Sequence, residues 1–224
     1  MSRRSDLQSA RFQLNMGRIN ALVALMFADI DQLRPTGLFQ TGGVRADLLR
    51  AIVVFLHATF EDLLRSHVPK PDKKVTIYSG VDIDKVLRRS GIDAGPFRAL
   101  YPPLAQLAKR RKRIVHEADL SNLTDTETQA WGVVDDWQLA LWLMAVPAFY
   151  YQLRMSVGVA SATDTIRYER LRRAMVSHGD VANQFLAFLE VPPELQRDAV
   201  LKIAATMEAI TAALRADVSE LTTA

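Results

Sequence analysis

Cysteine is absent from this 224-residue chain. That excludes disulfides, cysteine nucleophiles and thiolate zinc sites, and it fits a reducing, cytoplasmic setting. The phosphate-cradling patterns G-x-x-x-x-G-K-S/T and G-x-G-x-x-G are also missing, as are H-E-x-x-H and G-x-S-x-G. Neither sign of charge dominates, since 28 Lys+Arg stand against 25 Asp+Glu for a formal net charge of +3. The sum therefore names no partner, and only the placement of the cations is informative. Behind the arginines of Met1-Ser2-Arg3-Arg4 there is no apolar run, so no signal peptide is expected. The uncharged stretch Trp137–Leu153 is shorter than the roughly 20 residues of a spanning helix. It also contains Gln138, Gln152 and Pro147. It reads as a bundle helix buried on most sides, and no membrane segment is expected.

What is present is helical periodicity in a chain that is 49% hydrophobic, enough for one good core. Leu14, Ile19, Leu22, Val23, Met26, Ile30 and Leu33 fit a first stripe, closed by Pro35. Leu48, Leu49, Ile52, Phe55, Leu56, Thr59, Phe60 and Leu63 fit a second, closed by Pro69 and Pro71. Lys73–Gly80 suits a short strand or an extended link. A short helix is expected over Asp82–Arg89 with Asp82 as its cap, and Gly91 and Gly95-Pro96 break the chain after it. A further helix is expected over Phe97–Asp119, and an apolar one over Glu127–Met155, kinked at Pro147. Three more segments, Ile166–Val176, Val181–Leu189 and Leu195–Leu214, follow a small polar boundary near residue 158. The expectation is an all-α fold: a four-to-five-helix up-down bundle over 1–158, with C-terminal accessory helices over 159–224.

The chemistry concentrates between Leu104 and Asp119, L-A-Q-L-A-K-R-R-K-R-I-V-H-E-A-D. Its apolar positions, Leu104, Leu107, Ala108, Val115 and Ala118, define an inward stripe that also passes through Arg111. A charge on the buried side is costly unless something anionic meets it. His116 follows, with Lys112 and Arg113 four and three residues upstream; these cations favour its neutral imidazole, while Glu117 and Asp119 push the other way. Imidazole and guanidinium together suffice to cleave RNA. The imidazole moves the proton of the 2′-hydroxyl or of the leaving 5′-oxygen, and arginine stabilises the charge gathering on phosphorus. Arg111 and His116 lie about 140° apart around a helix, so they converge only at a groove such as a subunit interface. On spacing alone, a basic surface helix with an incidental histidine stays equally open.

The other candidates have plainer readings. His57 sits among apolar residues but off the main stripe, as a packed or surface histidine. His67 and His178 read as cations at helix C-termini, the latter ahead of Gly179. Asp82-x-Asp84 reads as capping rather than a metal pair, and Asp135-Asp136 points in two directions on a helix. Arg167, Arg170, Arg172 and Arg173 form a second basic cluster, read as a solvated helix face in preference to an RNA track or an antitoxin grip.

Arg111-Lys112-Arg113-Ile114-Val115-His116 fits the R-x4-H signature of the HEPN superfamily, and the ending I-V-H-E-A-D resembles its RiboL-PSP-HEPN-like branch. The preceding stretch L-L-R-A-I-V-V-F-L-H-A-T-F-E-D-L-L-R is similar to the helix before the motif helix there. The resemblance covers about residues 10–157. It implies a metal-independent endoribonuclease without cofactor, active as a homodimer with the motif at the interface. Arg111 would stabilise the phosphate and His116 would be the acid or base, with Lys109, Arg110, Lys112 and Arg113 binding RNA. It further implies a toxin or antiviral defence effector, with an antitoxin protein as a possible partner. The alternative is a non-catalytic HEPN module that binds RNA or protein.

Overall fold

The computed structural model describes residues 3–27, 41–67, 77, 79–116 and 136–188. Every regular element among them is a helix: α1 (Arg3–Phe27), α2 (Thr41–His67), α3 (Gly80–Arg89), a 3₁₀ helix (Gly95–Leu100), α4 (Tyr101–His116), α5 (Asp136–Ser156) and α6 (Ala162–Phe188). The fold is all-α. The expected strand at Lys73–Gly80 falls largely outside the described residues, as does the helix expected at Leu195–Leu214. The chain divides into two compact units, 1–146 and 147–224, with the junction inside α5.

In the first unit α2 packs against α1, α3 and α4. Its core face carries Leu49, Ile52, Val53, Leu56, Phe60, Leu63 and Leu64, all buried. α1 meets it through Phe12, Met16, Ile19 and Met26, at helical spacing. This corrects the stripe assigned through Leu14, which is 56% exposed. Leu14 lies about 140° around the helix from Ile19, so both cannot face α2.

α3 starts at Gly80, two residues before the expected cap, because Ser79 and not Asp82 is the N-cap. The Asp82 N–H donates to Ser79 Oγ at 3.3 Å, and that hydroxyl donates to Asp82 Oδ2 at 2.8 Å. Asp84 is occupied as well, accepting from Arg88 Nε at 2.6 Å and from the Tyr101 hydroxyl at 3.4 Å. Burial and then the Asp84 carboxylate push the Tyr101 hydroxyl up to about 12. The helix ends at Gly91 (φ +72°), with Ile92 N–H donating to Leu87 O and Gly91 N–H to Arg88 O. Glycine suits that left-handed position because it has no Cβ.

The second unit contains the rest of α5 and α6. Gly158 (φ +71°) turns the chain at the end of α5. Ser161 then caps α6 reciprocally: Asp164 N–H donates to Ser161 Oγ at 3.1 Å, and Ser161 N–H to Asp164 Oδ2 at 2.7 Å. α6 runs unbroken from Ala162 to Phe188, which corrects the break expected at His178-Gly179. A helical glycine costs about 1 kcal/mol relative to alanine, less than the continuous backbone ladder contributes over so long a helix. His178 is consequently not a terminal cation but a mid-helix side chain, 3% exposed. Among the described residues no helix is long and apolar enough to cross a membrane.

Candidate functional site

α4 carries the basic run. Pro102 and Pro103 stand in its first turn, where missing N–H groups leave no gap in the ladder. The cations themselves do not favour this helix, since like charges four apart, such as Lys109 and Arg113, repel. Packing holds it instead: Leu104, Leu107 and Ala108 are fully buried along one stripe, facing the α2 side of the unit. Arg111, next on that stripe, is half-buried, as its spacing predicts. Val115 departs from the expectation and is 47% exposed. Eleven residues from Leu104 bring it back to within about 20° of the stripe. Its angle is therefore right, and among the described residues this last turn is left without full cover.

The run separates into two kinds of cation. Lys109, Lys112 and Arg113 are exposed, whereas Arg110 and Arg111 are half-buried. His116 is the final residue of α4, and its side chain lies outside the described ones, as does all of Ala118. Arg111 and His116 thus share one helix, five residues apart, as the sequence indicates.

Across from α4, α2 presents a polar column. His57, Glu61 and Arg65 recur every four residues and so share a face. His57 is 1% exposed. Its Nε2 stands 3.4 Å from the carbonyl oxygen of Ile77, and the Ile77 N–H donates to Glu61 Oε1 at 3.4 Å. Glu61 also pairs with Arg65 at 3.1 Å. Burial, the largest influence, holds the His57 imidazole below its ordinary range. Glu61 and the Ile77 carbonyl oppose that shift, while the charges of Arg111 and Arg65 reinforce it. The Arg111 guanidinium therefore acts electrostatically on the His57 ring. Of the two readings of His57, packed or surface, the structure gives packed, and the charge of the motif arginine bears on its ring. The available signal was the four-residue spacing of His57, Glu61 and Arg65.

Two further features lie apart from this cluster. Between α1 and α2 a cleft of about 380 Å³ is lined by Gln8, Arg11, Asn15 and Asp62 among others, with Arg11 and Asp62 paired across it at 3.0 Å. In the second unit the basic cluster of α6 is only partly a solvated face. Arg172 and Arg173 are exposed, but Arg167 and Arg170 are half-buried, and Arg167 Nη1 reaches the Tyr151 hydroxyl at 3.4 Å. Among the described residues no group of three or more His, Asp or Glu is arranged to hold a metal ion.

What this arrangement can do chemically is limited and definite. It offers a permanently charged guanidinium held on its inner side, a surface row of cations beside it, and a histidine at the end of the same helix. No family model, curated protein or solved structure matches this chain.

Proposed function

We propose that the chain is a metal-independent endoribonuclease of HEPN type, working as a homodimer in the cytoplasm as a toxin or antiviral defence effector. The observation that carries this reading is the half-burial of Arg111 on the α4 stripe, with His116 closing the same helix. A purely solvated basic face would place every cation outward. Instead Arg110 and Arg111 are half-buried, and the charge of Arg111 bears on the buried imidazole of His57. In this reading Arg111 stabilises the charge that builds on the phosphorane, a contribution typically worth about 10²–10³-fold in rate. His116 moves the proton of the 2′-hydroxyl or of the 5′-oxygen, worth roughly 10²–10⁴-fold. Lys109, Arg110, Lys112 and Arg113 track the RNA backbone. A two-fold partner would bring a second copy of the pair to the same groove.

The second reading is a non-catalytic module that binds RNA or an acidic partner such as an antitoxin. The exposure of Lys109, Lys112 and Arg113 favours it, because those three bind phosphate without any chemistry. Cleavage of total RNA in the presence of EDTA separates the two. The nuclease reading expects cutting by the parent and none by His116→Ala or Arg111→Ala. An intact RNA pool with the parent, alongside retained salt-sensitive binding, leaves the binding module.

A further inference from the structure

α1 is apolar on two sides, and α2 takes up only one of them. Phe12, Met16, Ile19 and Met26 are buried on the α2 side. On the opposite side Leu7, Leu14 and Ala21 recur every seven residues, and Ala10, Gly17 and Ala24 recur between them. These two rows occupy the a and d positions of a heptad repeat. Leu7 is 68% exposed and Leu14 56%, and Ala10, Ala21 and Ala24 are exposed as well. Gly17 stands in the middle of the face. A glycine weakens a helix interior relative to alanine, yet a Cβ at this position would meet nothing within 4 Å. Nothing among the described residues calls for a glycine there.

The order of large and small residues indicates what does. Turned end for end about the midpoint between Asn15 and Met16, the helix face is its own complement. Leu7 then opposes Ala24, Ala10 opposes Ala21, and Leu14 opposes Gly17. Each leucine meets a small residue, so two such helices can approach to the short end of the usual spacing of roughly 8–10 Å. The flank of the face agrees. Arg11, Asn15 and Arg18 edge it on one side, where the cleft between α1 and α2 opens, lined by Leu7, Arg11, Asn15 and Asp62 among others. The same two-fold sets the exposed Arg18 of one copy against the Arg11–Asn15 turn of the other. Asp62 pairs with Arg11 at 3.0 Å and keeps 37% of its side chain exposed. Its carboxylate has lone pairs for a second guanidinium. In area, the row from Leu7 to Leu25 is about 27 Å long on a helix about 10 Å across, short of the roughly 800 Å² per partner of a standard interface. The adjoining cleft adds to it, which puts the contact at the weak, micromolar end.

We infer that this face of α1 docks a second copy of the chain, antiparallel and in that register. The pairing does not rest on the nuclease reading. α1 and α4 both pack on α2, and the leucine face lies on the side of α1 away from α2. A two-fold at α4 would be additional to this one.

The absence of cysteine makes the register directly readable. Full-length Ala10→Cys and Ala21→Cys chains are oxidised separately and as a mixture. The mixture should give a disulfide-linked dimer. Each chain alone should not, because like positions stand about 16 Å apart along the axis, beyond the roughly 7 Å that a disulfide spans between Cα atoms. Light scattering gives the second readout. Leu14→Glu puts a charge into the face, and Gly17→Leu fills the space that Leu14 of the other copy needs. Both should lower the particle mass of the parent twofold with helix content unchanged by circular dichroism. No linked dimer from the mixture overturns the inference, and so does equal linking by Ala10→Cys alone. A parent that stays monomeric up to about 0.1 mM overturns it too, as does a parent mass unchanged in the variants. If Leu14→Glu loses helix, Gly17→Leu decides alone, since its side chain enters open space in the single copy. RNA cleavage is not among the readouts, so failure of the nuclease reading leaves this test intact.

Discussion

Asp164 offers the clearest test of how the second unit is held. Its Oδ2 accepts from Arg154 Nε at 3.0 Å and from the Ser161 N–H at 2.7 Å, while its own N–H donates to Ser161 Oγ. Burial pushes its carboxyl up, but the Ser161 N–H and the Arg154 guanidinium outweigh that and leave it below the ordinary value of 3.8. Both partners are largely enclosed, with side chains 17% and 12% exposed, so solvent screening is modest. A charge-assisted hydrogen bond of this kind contributes about 1.5–3 kcal/mol, and the cap about 1 kcal/mol more. Arg154 would not be stranded by the loss. It also donates to the Val159 carbonyl at 3.0 Å and lies 5.7 Å over the Tyr150 ring. Asp164→Ala should therefore cost about 3 kcal/mol, short of the 3–5 kcal/mol typical of breaking a fully buried pair. Asp164→Asn keeps an acceptor and loses the charge, so it should cost the difference between a charged and a neutral hydrogen bond, about 1–1.5 kcal/mol at pH 7. The sign with pH follows from the depressed carboxyl. Its stabilisation is complete above the unfolded value near 3.8 and is lost as pH falls through the lower folded value. Urea unfolding of parent and Asp164→Asn, from pH 7 down to pH 2, is the assay. The two curves should converge at the acid end. A stability gap that stays constant across that range refutes the electrostatic account.

Three other perturbations follow from the same coordinates. Gly80→Ala should destabilise by about 1–3 kcal/mol by overpacking, since a Cβ there would stand 2.9 Å from Tyr101 Cδ2, on a ring tethered through its hydroxyl to Asp84. A neutral or raised melting temperature for that variant counts against the close packing of α3 on α4. Leu107→Ala should cost about 2–5 kcal/mol, whereas Val115→Ala, on the same nominal stripe but exposed, should stay within about 0.5 kcal/mol; equal losses in chemical denaturation would contradict the cover assigned to α4. His57 is held below its ordinary 6.5, so the unfolded chain takes up more protons there. Its contribution is complete above about pH 6.5 and falls as pH drops toward the folded value. The unfolding midpoint of the parent should decline between pH 7.5 and 5.5 by more than that of His57→Gln, and parallel declines would exclude this residue as the source.

Much of the candidate site was legible. Arg111 was placed on an inward stripe by the spacing of Leu104, Leu107 and Ala108 alone, because 100° per residue is a local property of the helix. Val115 shows the limit of that logic. The angle was right and the burial was not, since burial depends on whether another element covers the position. α1 shows the same limit more sharply. It carries two apolar stripes, one through Phe12, Met16, Ile19 and Met26, and one through the exposed Leu7, Leu14 and Leu25. Periodicity detects both, and only the position of α2 selects between them. The helix caps failed for a different reason. Ser79 and Asp82 stand three apart, and either suits a cap by type, so the choice fell to the backbone geometry at Ser79.

By itself, then, the sequence determined an all-helical chain, a basic run on one helix, and an arginine turned inward five residues before a histidine. These are short-range matters of periodicity, charge spacing and turn chemistry. The tertiary structure decided which stripe of α1 is core, that α6 passes through His178-Gly179 without a break, and that the charge of Arg111 bears on the buried His57 ring. Residues 57 and 111 are far apart in the chain, and their relation exists only because α2 and α4 pack together. No local propensity encodes that meeting; it is set by burying the apolar faces of both helices at once.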